Sequence, residues 1–525
     1  MKNNILRISI LACILLSGTL FHAQEHIRFS DVEHWTVTEL QPYVGKTVVF
    51  DQPVYTCNNY SGLTASLHRV MSPTNQYEPL TAEYNRLVTV NNNSTFYLNG
   101  LSGYHRMGET IYGLTAKINS ANSLTYISSV SITGTRSDME SGYPTVDIAH
   151  DSTNSIAQHN LLVCAANLEY YLVENLGTGF GADNTSEQQK QHTKIMSALS
   201  KINADIYGFV EIEQGQAALQ KIATALTQFT GRNYAIINDG GNSSGSYTKS
   251  GYVYCSDVVS PHGGLRNNNV RLSNRKKMQA FTHKATGERF IFSLNHFKAK
   301  SGGNANGDPQ GAYNADRVQE AQSVLSEYNA NKSYYSDEDI LIMGDLNAYA
   351  KEDPIITLIE GGMTDLHRYF HADSSYSYTY HGQAGYLDHA LCNSTMLQQV
   401  TGMSVWHVNS DESDSYTYDK SNDLTMFRYS DHDPVLVGLR LGARLAISDK
   451  ETDIPGATIS WQGGRIHIQN AEGGRYSLTT PFGQVMISEK IDSHDFLSSQ
   501  AIPKGLYILN LYANGRVERK KYFVN

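Results

Sequence analysis

Charge is what this chain has least of. Only 18% of its 525 residues are Asp, Glu, Lys or Arg, and the 51 acids outnumber the 41 bases. A formal net charge of -10 excludes a broadly basic nucleic-acid coat. It leaves room for an enzyme that holds a phosphodiester through a metal ion and a few local cations. Cysteine is scarce too. Beyond Cys13 there are Cys57, Cys164, Cys255 and Cys392, at no spacing that suits a zinc site. Four cysteines allow three full pairings, and the sequence does not choose among them. Cys164 and Cys392 lie in apolar runs, where a free buried thiol is the usual outcome. Long apolar runs are missing: Ile8–Leu16 is too short to span a membrane, and no other segment reads as transmembrane. Against 3 Trp and 12 Pro stand 34 Tyr and 42 Gly, a mix that suits an exported, β-rich protein.

Length points to two or three domains. Residues 1–23 read as a secretory signal, with Lys2 and Arg7 ahead of the apolar stretch and Phe21-His22-Ala23 before Gln24. Residues 24–135 read as short strands, among them Val48–Val54, Arg86–Val90, Thr95–Leu98 and Ile111–Ile118, which predicts a small, OB-like β-barrel. After a linker at 136–155, residues 156–441 alternate strands and helices. Leu161–Ala166, Ile206–Val210, Phe290–Leu294 and Ile340–Met343 are strand-like, and Gln188–Ile202, Gly215–Thr227 and Ala315–Tyr328 have helical spacing. That is an α/β pattern large enough for two sheets with helices outside. A second linker, 442–455, leads to β character over 456–525.

Four strings carry the chemistry: Val210-Glu211-Ile212-Glu213, Asn295-His296, Gly344-Asp345-Leu346-Asn347 and Ser430-Asp431-His432-Asp433-Pro434. Phosphodiester hydrolysis needs hard oxygen ligands for a divalent cation, a base for the attacking water and donors for the phosphate. Taken singly the strings are turns, helix starts or structural histidines. Their joint order, each beside an apolar strand, is what points to a site. Asn167, Glu211, His296, Asp345 and Asn347 follow strands, where loops of α/β sheets converge on ligands. Asp388 and Asp431-His432 open or precede strands, so those strands must run antiparallel to reach the same rim. Period two sends Asp388 and His389 to opposite faces, so only one can join.

The chain resembles the endonuclease/exonuclease/phosphatase family, the fold of pancreatic-type deoxyribonuclease. The likeness is carried by Ala166-Asn167-Leu168, Ala204-Asp205-Ile206 through Glu213, Leu294-Asn295-His296-Phe297-Lys298, Met343 through Asn347, Leu387-Asp388-His389-Ala390 and Ser430 through Pro434. The stretch from Asn295 to Ser301, its Gly/Asn-rich loop and Tyr313-Asn314-Ala315-Asp316-Arg317-Val318 resemble the large secreted bacterial nucleases. The resemblance implies a four-layer α/β/β/α sandwich and a nuclease acting on DNA, with RNA as an alternative. It implies a divalent metal, Mg²⁺ first with Mn²⁺ or Ca²⁺ also acceptable, held by Asn167 and Glu211 with Asp431 contributing. His432 would be the general base, oriented by Asp388. His296 would steady the phosphate or protonate the leaving oxygen. Asp345 would position the nucleophile or bind metal, Asn347 would donate to a phosphate oxygen, and Asn295 and Arg317 would contact substrate. The chain departs from the pancreatic pattern at Lys249-Ser250-Gly251, where a carboxylate would support the first histidine.

In the tail, Gly483-Gln484-Val485, Pro503 through Ile508 and Lys520 through Val524 resemble the type IX secretion sorting domain of Bacteroidota. This implies a β-sandwich, contact with that secretion machinery, and a released or surface-held product without stable membrane insertion. Two other functions compete: a phosphatase or sphingomyelinase-like phosphodiesterase of the same fold, and a non-catalytic surface binding protein. The Asn295–Arg317 stretch disfavours the first. The acids and imidazoles at Glu211, Asp345, Asp388, Asp431 and His432 disfavour the second.

Overall fold

The structure is a computed structural model that describes residues 25–59, 62–141, 159–239, 246–267, 275–371, 373–413, 416–442, 456–462, 465–479, 485–499, 501–502, 505–513 and 516–524. The signal-like start, most of 136–155 and nearly all of 442–455 lie outside the described residues. No described helix is long and apolar enough to cross a membrane.

The chain divides into two units. One comprises Met1–Arg69 and Val90–Thr133, the other Val70–Thr89 and Gly134–Asn525. The first unit holds a nine-stranded sheet whose core gathers Trp35, Phe50, Phe96, Ile111 and Leu124. The stretch Arg86–Val90 is not a strand. It belongs to a helix, Ala82–Asn91, whose first turn is fixed when Thr81 Oγ1 accepts from the Tyr84 amide at 3.2 Å. A local cap thus outweighs the β-branched bias of Val88, Thr89 and Val90. In the expected linker, Arg136–Ser141 is helical, and Arg136 pairs with Glu412 and, at 2.7 Å, with Asp423.

The second unit contains two six-stranded sheets. One runs Tyr234–Ile236, Thr248–Cys255, Ile206–Glu213, Leu161–Tyr171, Val435–Leu439, Val400–Val405. The other runs Val259–Asn267, Lys276–His283, Arg289–Asn295, Ile340–Asp345, Asp388–Cys392, Thr364–Asp365. Period two explains the apolar runs. Leu161, Val163 and Ala165 face Phe290, Phe292, Leu294, Leu341 and Met343 of the other sheet. Leu162, Cys164 and Ala166 face helix residues Ile195, Leu199, Leu219 and Ile222. On the far side Ile291, Ile340 and Ile342 lie under Ala321, Val324, Ile355 and Leu358. A sheet buried on both faces has no polar alternation to show. The sheets approach closely at Gly208, where a Cβ would sit 2.7 Å from Leu294 and Phe292 carbons. This layering is consistent with the expected sandwich.

Cys57, Cys164, Cys255 and Cys392 are all buried and unpaired with one another. The described residues between 456 and 524 form a three-stranded and a four-stranded sheet around one core that includes Ile466, Ile468, Tyr476, Leu478 and Leu509.

Candidate active site

The site is assembled from strand ends. Leu161–Tyr171 and Ile206–Glu213 are parallel, and Asn167 lies opposite Val210, one residue before Glu211. Arg289–Asn295 and Ile340–Asp345 are also parallel, so His296 and Asp345 leave the second sheet at the same edge. Asp388 reaches that edge because its strand is antiparallel, with Asp345 directly opposite Asp388. Likewise Val435–Leu439 is antiparallel to Leu161–Tyr171, with Val435 opposite Ala165, which brings the preceding His432 to the rim.

The backbone is distorted where these residues sit. Glu169, Tyr170, Glu211 and Asn347 have φ of 45°, 55°, 57° and 48°. Asn tolerates this region, but Glu and Tyr do so at a cost of about 1–3 kcal/mol each, which surrounding structure must offset. Gly344 (φ 121°) cannot be replaced, since a Cβ would collide with the Asn295 carbonyl oxygen.

Asn167 Nδ2 lies 3.3 Å from both Glu211 Oε1 and Asp345 Oδ2, linking the sheets through one amide. His296 Nε2 is 3.7 Å from Glu211 Oε1 and 3.6 Å from Asp345 Oδ2. Asp345 Oδ1 accepts the Asn347 amide at 2.8 Å, and Asn347 Nδ2 donates to the Phe297 carbonyl at 3.2 Å. His432 Nδ1 meets Asp388 Oδ2 at 2.7 Å, while its Nε2 lies 3.9 Å from Asp431 Oδ2 and 4.0 Å from Asp345 Oδ2. Ser377 Oγ donates to Asp388 Oδ2 at 2.8 Å and accepts the Asp388 amide at 3.1 Å.

Burial sets the electrostatics. It pushes the Asp345 carboxyl up to about 7, aided by Asp388. Burial and Asp431 raise Glu211, and the same two causes raise Glu169 well above the carboxylate range. Burial alone would lower His432, but Asp388, Asp431 and Asp345 raise it well above an ordinary imidazole. His296 moves the other way, pushed well down by burial and by Arg275.

These groups fit a hard divalent cation. One ligand atom each from Glu211, His296 and Asp345 lie within 4.8 Å of one another. Asp345 is buried, Glu211 is half-buried, and both carboxylates are raised, so a cation between them relieves the cost of their charge. The group that closes most tightly therefore contains Asp345 and His296. Asp431 stands on the His432 side, with its side chain 30% exposed.

Two expected substrate contacts have side chains engaged with nearby protein groups. The Arg317 guanidinium donates to the carbonyls of Ala312 at 2.7 Å, Gln310 at 2.9 Å and Lys298 at 3.2 Å. It is fully buried and braces the loop ahead of its helix. Asn295 Nδ2 donates to the Ser293 carbonyl and hydroxyl at 3.1 and 3.0 Å, so it is tied to its own strand. As period two requires, His389 turns away, and its Nε2 donates to the Ala348 carbonyl at 2.7 Å. Glu213 is structural. Its carboxylate accepts the amides of Val173, Glu174 and Asn175 at 2.8, 2.9 and 2.7 Å. Asp433 is structural too, accepting the Asn409 and Ser410 amides at 2.8 and 3.0 Å.

Other neighbours escaped the sequence reading. Arg275 Nη2 lies 2.8 Å from His296 Nδ1 and 2.9 Å from Nε2, so a cation stands against this histidine in addition to the two carboxylates. Lys249, at the departure from the pancreatic pattern, is spent on Asp239 at 2.8 Å. The only signal for Arg275 was the cationic start of a strand, Arg275-Lys276-Lys277. Tyr378 stacks on His432 with centroids 4.6 Å apart, and nothing in Ser377-Tyr378-Thr379-Tyr380 marks it.

Residues 158–432, more than half of the chain, match the sequence model of the Endonuclease/Exonuclease/phosphatase family. No curated protein matches the sequence. Among solved structures, a mannosyl-6-phosphatase of Bacteroides thetaiotaomicron is 16% identical with a TM-score of 0.38, over 53% of this chain and 99% of that one. The catalytic domain of human nocturnin with bound sulfate is 12% identical with a TM-score of 0.36, over 53% and 93%. D. rerio TDP2 with a single-stranded DNA product is 13% identical with a TM-score of 0.36, over 53% and 97%.

Proposed function

The chain belongs to the Endonuclease/Exonuclease/phosphatase family, and from that membership we propose a secreted, divalent-metal-dependent nuclease that hydrolyses phosphodiester bonds of extracellular DNA. One observation supports the chemistry most. The His432–Asp388 pair faces the same space as Glu211, Asp345 and His296, so a base and a cation-binding group converge from two sheets. The nuclease-like stretch Asn295–Arg317 supports the substrate, and the signal-like start and sorting-like tail support export.

Glu211 and Asp345 would hold the cation with His296 or the Asn167 amide completing the set, and Asp431 nearby. When bound, the cation supplies charge stabilisation to a phosphate that gains negative charge. The residues supply the rest. Asp388 orients His432 by taking Nδ1–H; with a bound cation offsetting the acids that raise this imidazole, Nε2 would accept a proton from the attacking water. His296, held neutral beside Arg275, suits steadying a phosphate oxygen better than protonating a leaving group. Asn347, fixed by Asp345, holds an amide at the same edge.

Purified protein offered supercoiled plasmid, linear DNA, RNA, a sugar phosphate and sphingomyelin, each with and without EDTA, tests this. The expected result is metal-dependent cleavage of DNA. Cleavage that survives exhaustive chelation, or turnover of the sugar phosphate or the lipid alone, overturns it.

A further inference from the structure

Beside the acidic cluster the chain displays aromatic rings that the chemistry does not use. Tyr170 follows Asn167 by three residues, at an irregularity in strand register between Asn167 and Tyr171. Its left-handed backbone turns it away from the interior, where Tyr171 is fully buried. Tyr171 lies opposite Ile212, so Tyr170 and Glu211 each come one residue before the same registered pair on neighbouring strands; burial and the Glu211 carboxylate push the Tyr170 hydroxyl up. Phe180 stacks on Tyr170, with centroids 4.9 Å apart and planes 24° apart. Tyr247 stands 6.1 Å from Phe180 at 42°. Phe180 is 48% exposed and Tyr247 43% exposed, although large apolar rings normally bury.

This presentation is built into the fold. Glu213 clamps the chain entering the Phe180 loop through three backbone amides and the Asn175 side chain. The loop closes when the Gly177 amide donates to the Ala182 carbonyl at 3.1 Å. Gly181 (φ 64°) passes so near Tyr170 that a Cβ would collide with its carbonyl oxygen. The loop is thus held with one Phe180 face on Tyr170.

We propose that Tyr170, Phe180 and Tyr247 form a stacking platform for an unpaired nucleobase next to the scissile phosphate, so that the preferred substrate is single-stranded or locally unpaired nucleic acid. The proposal rests on the phosphodiesterase reading of the adjacent site. Two arguments favour a base as the occupant. A chain of net charge -10 gains little from general attraction to phosphates, so contacts to a base would add to what a metal ion and a few local cations supply. Base–aromatic stacking contributes about 1–3 kcal/mol per base and needs a free π-face, which a base inside a duplex does not offer.

The test compares wild type, Phe180→Ala and Phe180→Trp on two substrates with Mg²⁺ present. One is a single-stranded oligonucleotide, the other the same strand with abasic residues flanking the cleavage position. Phe180→Ala is expected to lower kcat/KM on the base-bearing strand by about 5- to 150-fold, the factor equivalent to that stacking energy. It should leave the abasic strand unchanged, and Phe180→Trp should retain wild-type values on both. Equal kcat/KM for Phe180→Ala and wild type on the base-bearing strand overturns the platform alone. Equal loss on both strands also overturns it and assigns the rings to the sugar–phosphate backbone. Absence of wild-type cleavage of either strand while duplex DNA is cut overturns the platform alone, and absence of cleavage of single-stranded and duplex DNA alike overturns the phosphodiesterase reading and the platform with it.

Discussion

Asp388 and His432 meet at 2.7 Å although 44 residues separate them, and Ser377 donates to the same carboxylate oxygen. The carboxylate therefore has a fixed direction and the imidazole one free nitrogen. Tyr378, next to Ser377, covers the ring face, so a single short segment holds both halves of the pair.

Replacing His432 with Ala should lower turnover by about 10²–10⁴-fold, the usual worth of a general base. Asp388→Asn should fall in the same direction, because an amide facing Nδ1 can impose the wrong tautomer. Steady-state kinetics with a folding check by circular dichroism decides it. Wild-type turnover by both folded variants would remove the assignment.

The acid cluster predicts a stability effect that does not depend on turnover. Asp345 is buried and Glu211 half-buried, and both have raised pKa values, so the metal-free fold is strained by its own charge. Millimolar Mg²⁺, Mn²⁺ or Ca²⁺ should raise Tm, by the equivalent of about 2.7 kcal/mol at a hundredfold excess over Kd. Glu211→Gln combined with Asp345→Asn should melt higher than wild type in EDTA and show no shift with metal. Thermal melts of both proteins across a metal series measure this, and an unchanged metal shift in the double variant would contradict it.

Much of this site was legible because its parts sit at the ends of strongly apolar strands. Continuous runs such as Leu161–Ala166 and Ile340–Met343 name doubly buried strands, and the polar residue that follows each falls at the rim. Residues whose role depends on where a side chain turns were not legible. Arg317 has the charge to bind phosphate, yet three carbonyls of its own loop claim it. Glu211 and Glu213 lie on one strand two residues apart, and only the structure shows that Glu213 is consumed by backbone amides. Arg275 and Tyr378 come from segments with no motif at all. The helix Ala82–Asn91 was missed because its capping threonine outweighs a β-branched pattern.

His192 makes stability depend on pH. Its Nδ1 lies 2.7 Å from the Tyr171 hydroxyl, and burial lowers its pKa from 6.5 to about 4. A histidine whose pKa falls on folding takes up protons more readily when unfolded. Its contribution is complete above about 6.5 and is lost as pH falls towards 4. The Tm advantage of wild type over His192→Gln should therefore narrow across that window. An advantage that stays constant or widens would show that the imidazole is not held neutral.

The segment Val70–Thr89 lies between strands of the first unit, yet it belongs to the second. Its opening residues work as a strap on the catalytic fold. The Ser72 amide donates to the Ala384 carbonyl at 2.7 Å and the Ala384 amide to the Val70 carbonyl at 2.9 Å, extending the hairpin that carries Tyr378. Thr74 Oγ1 donates to Glu352 at 2.8 Å, and Asn75 Oδ1 accepts the buried Tyr386 amide at 3.2 Å. Asn75→Leu leaves that amide without an acceptor, at about 1–3 kcal/mol. Because Tyr378 rests on His432, loosening the hairpin should lower kcat more than it raises KM. A truncation beginning at residue 136 loses the whole strap and should show both effects more strongly, with a lower denaturation midpoint. Denaturant melts and turnover at saturating DNA test this. A truncated chain with wild-type midpoint and kcat would mean that the strap lies on the catalytic unit without supporting it.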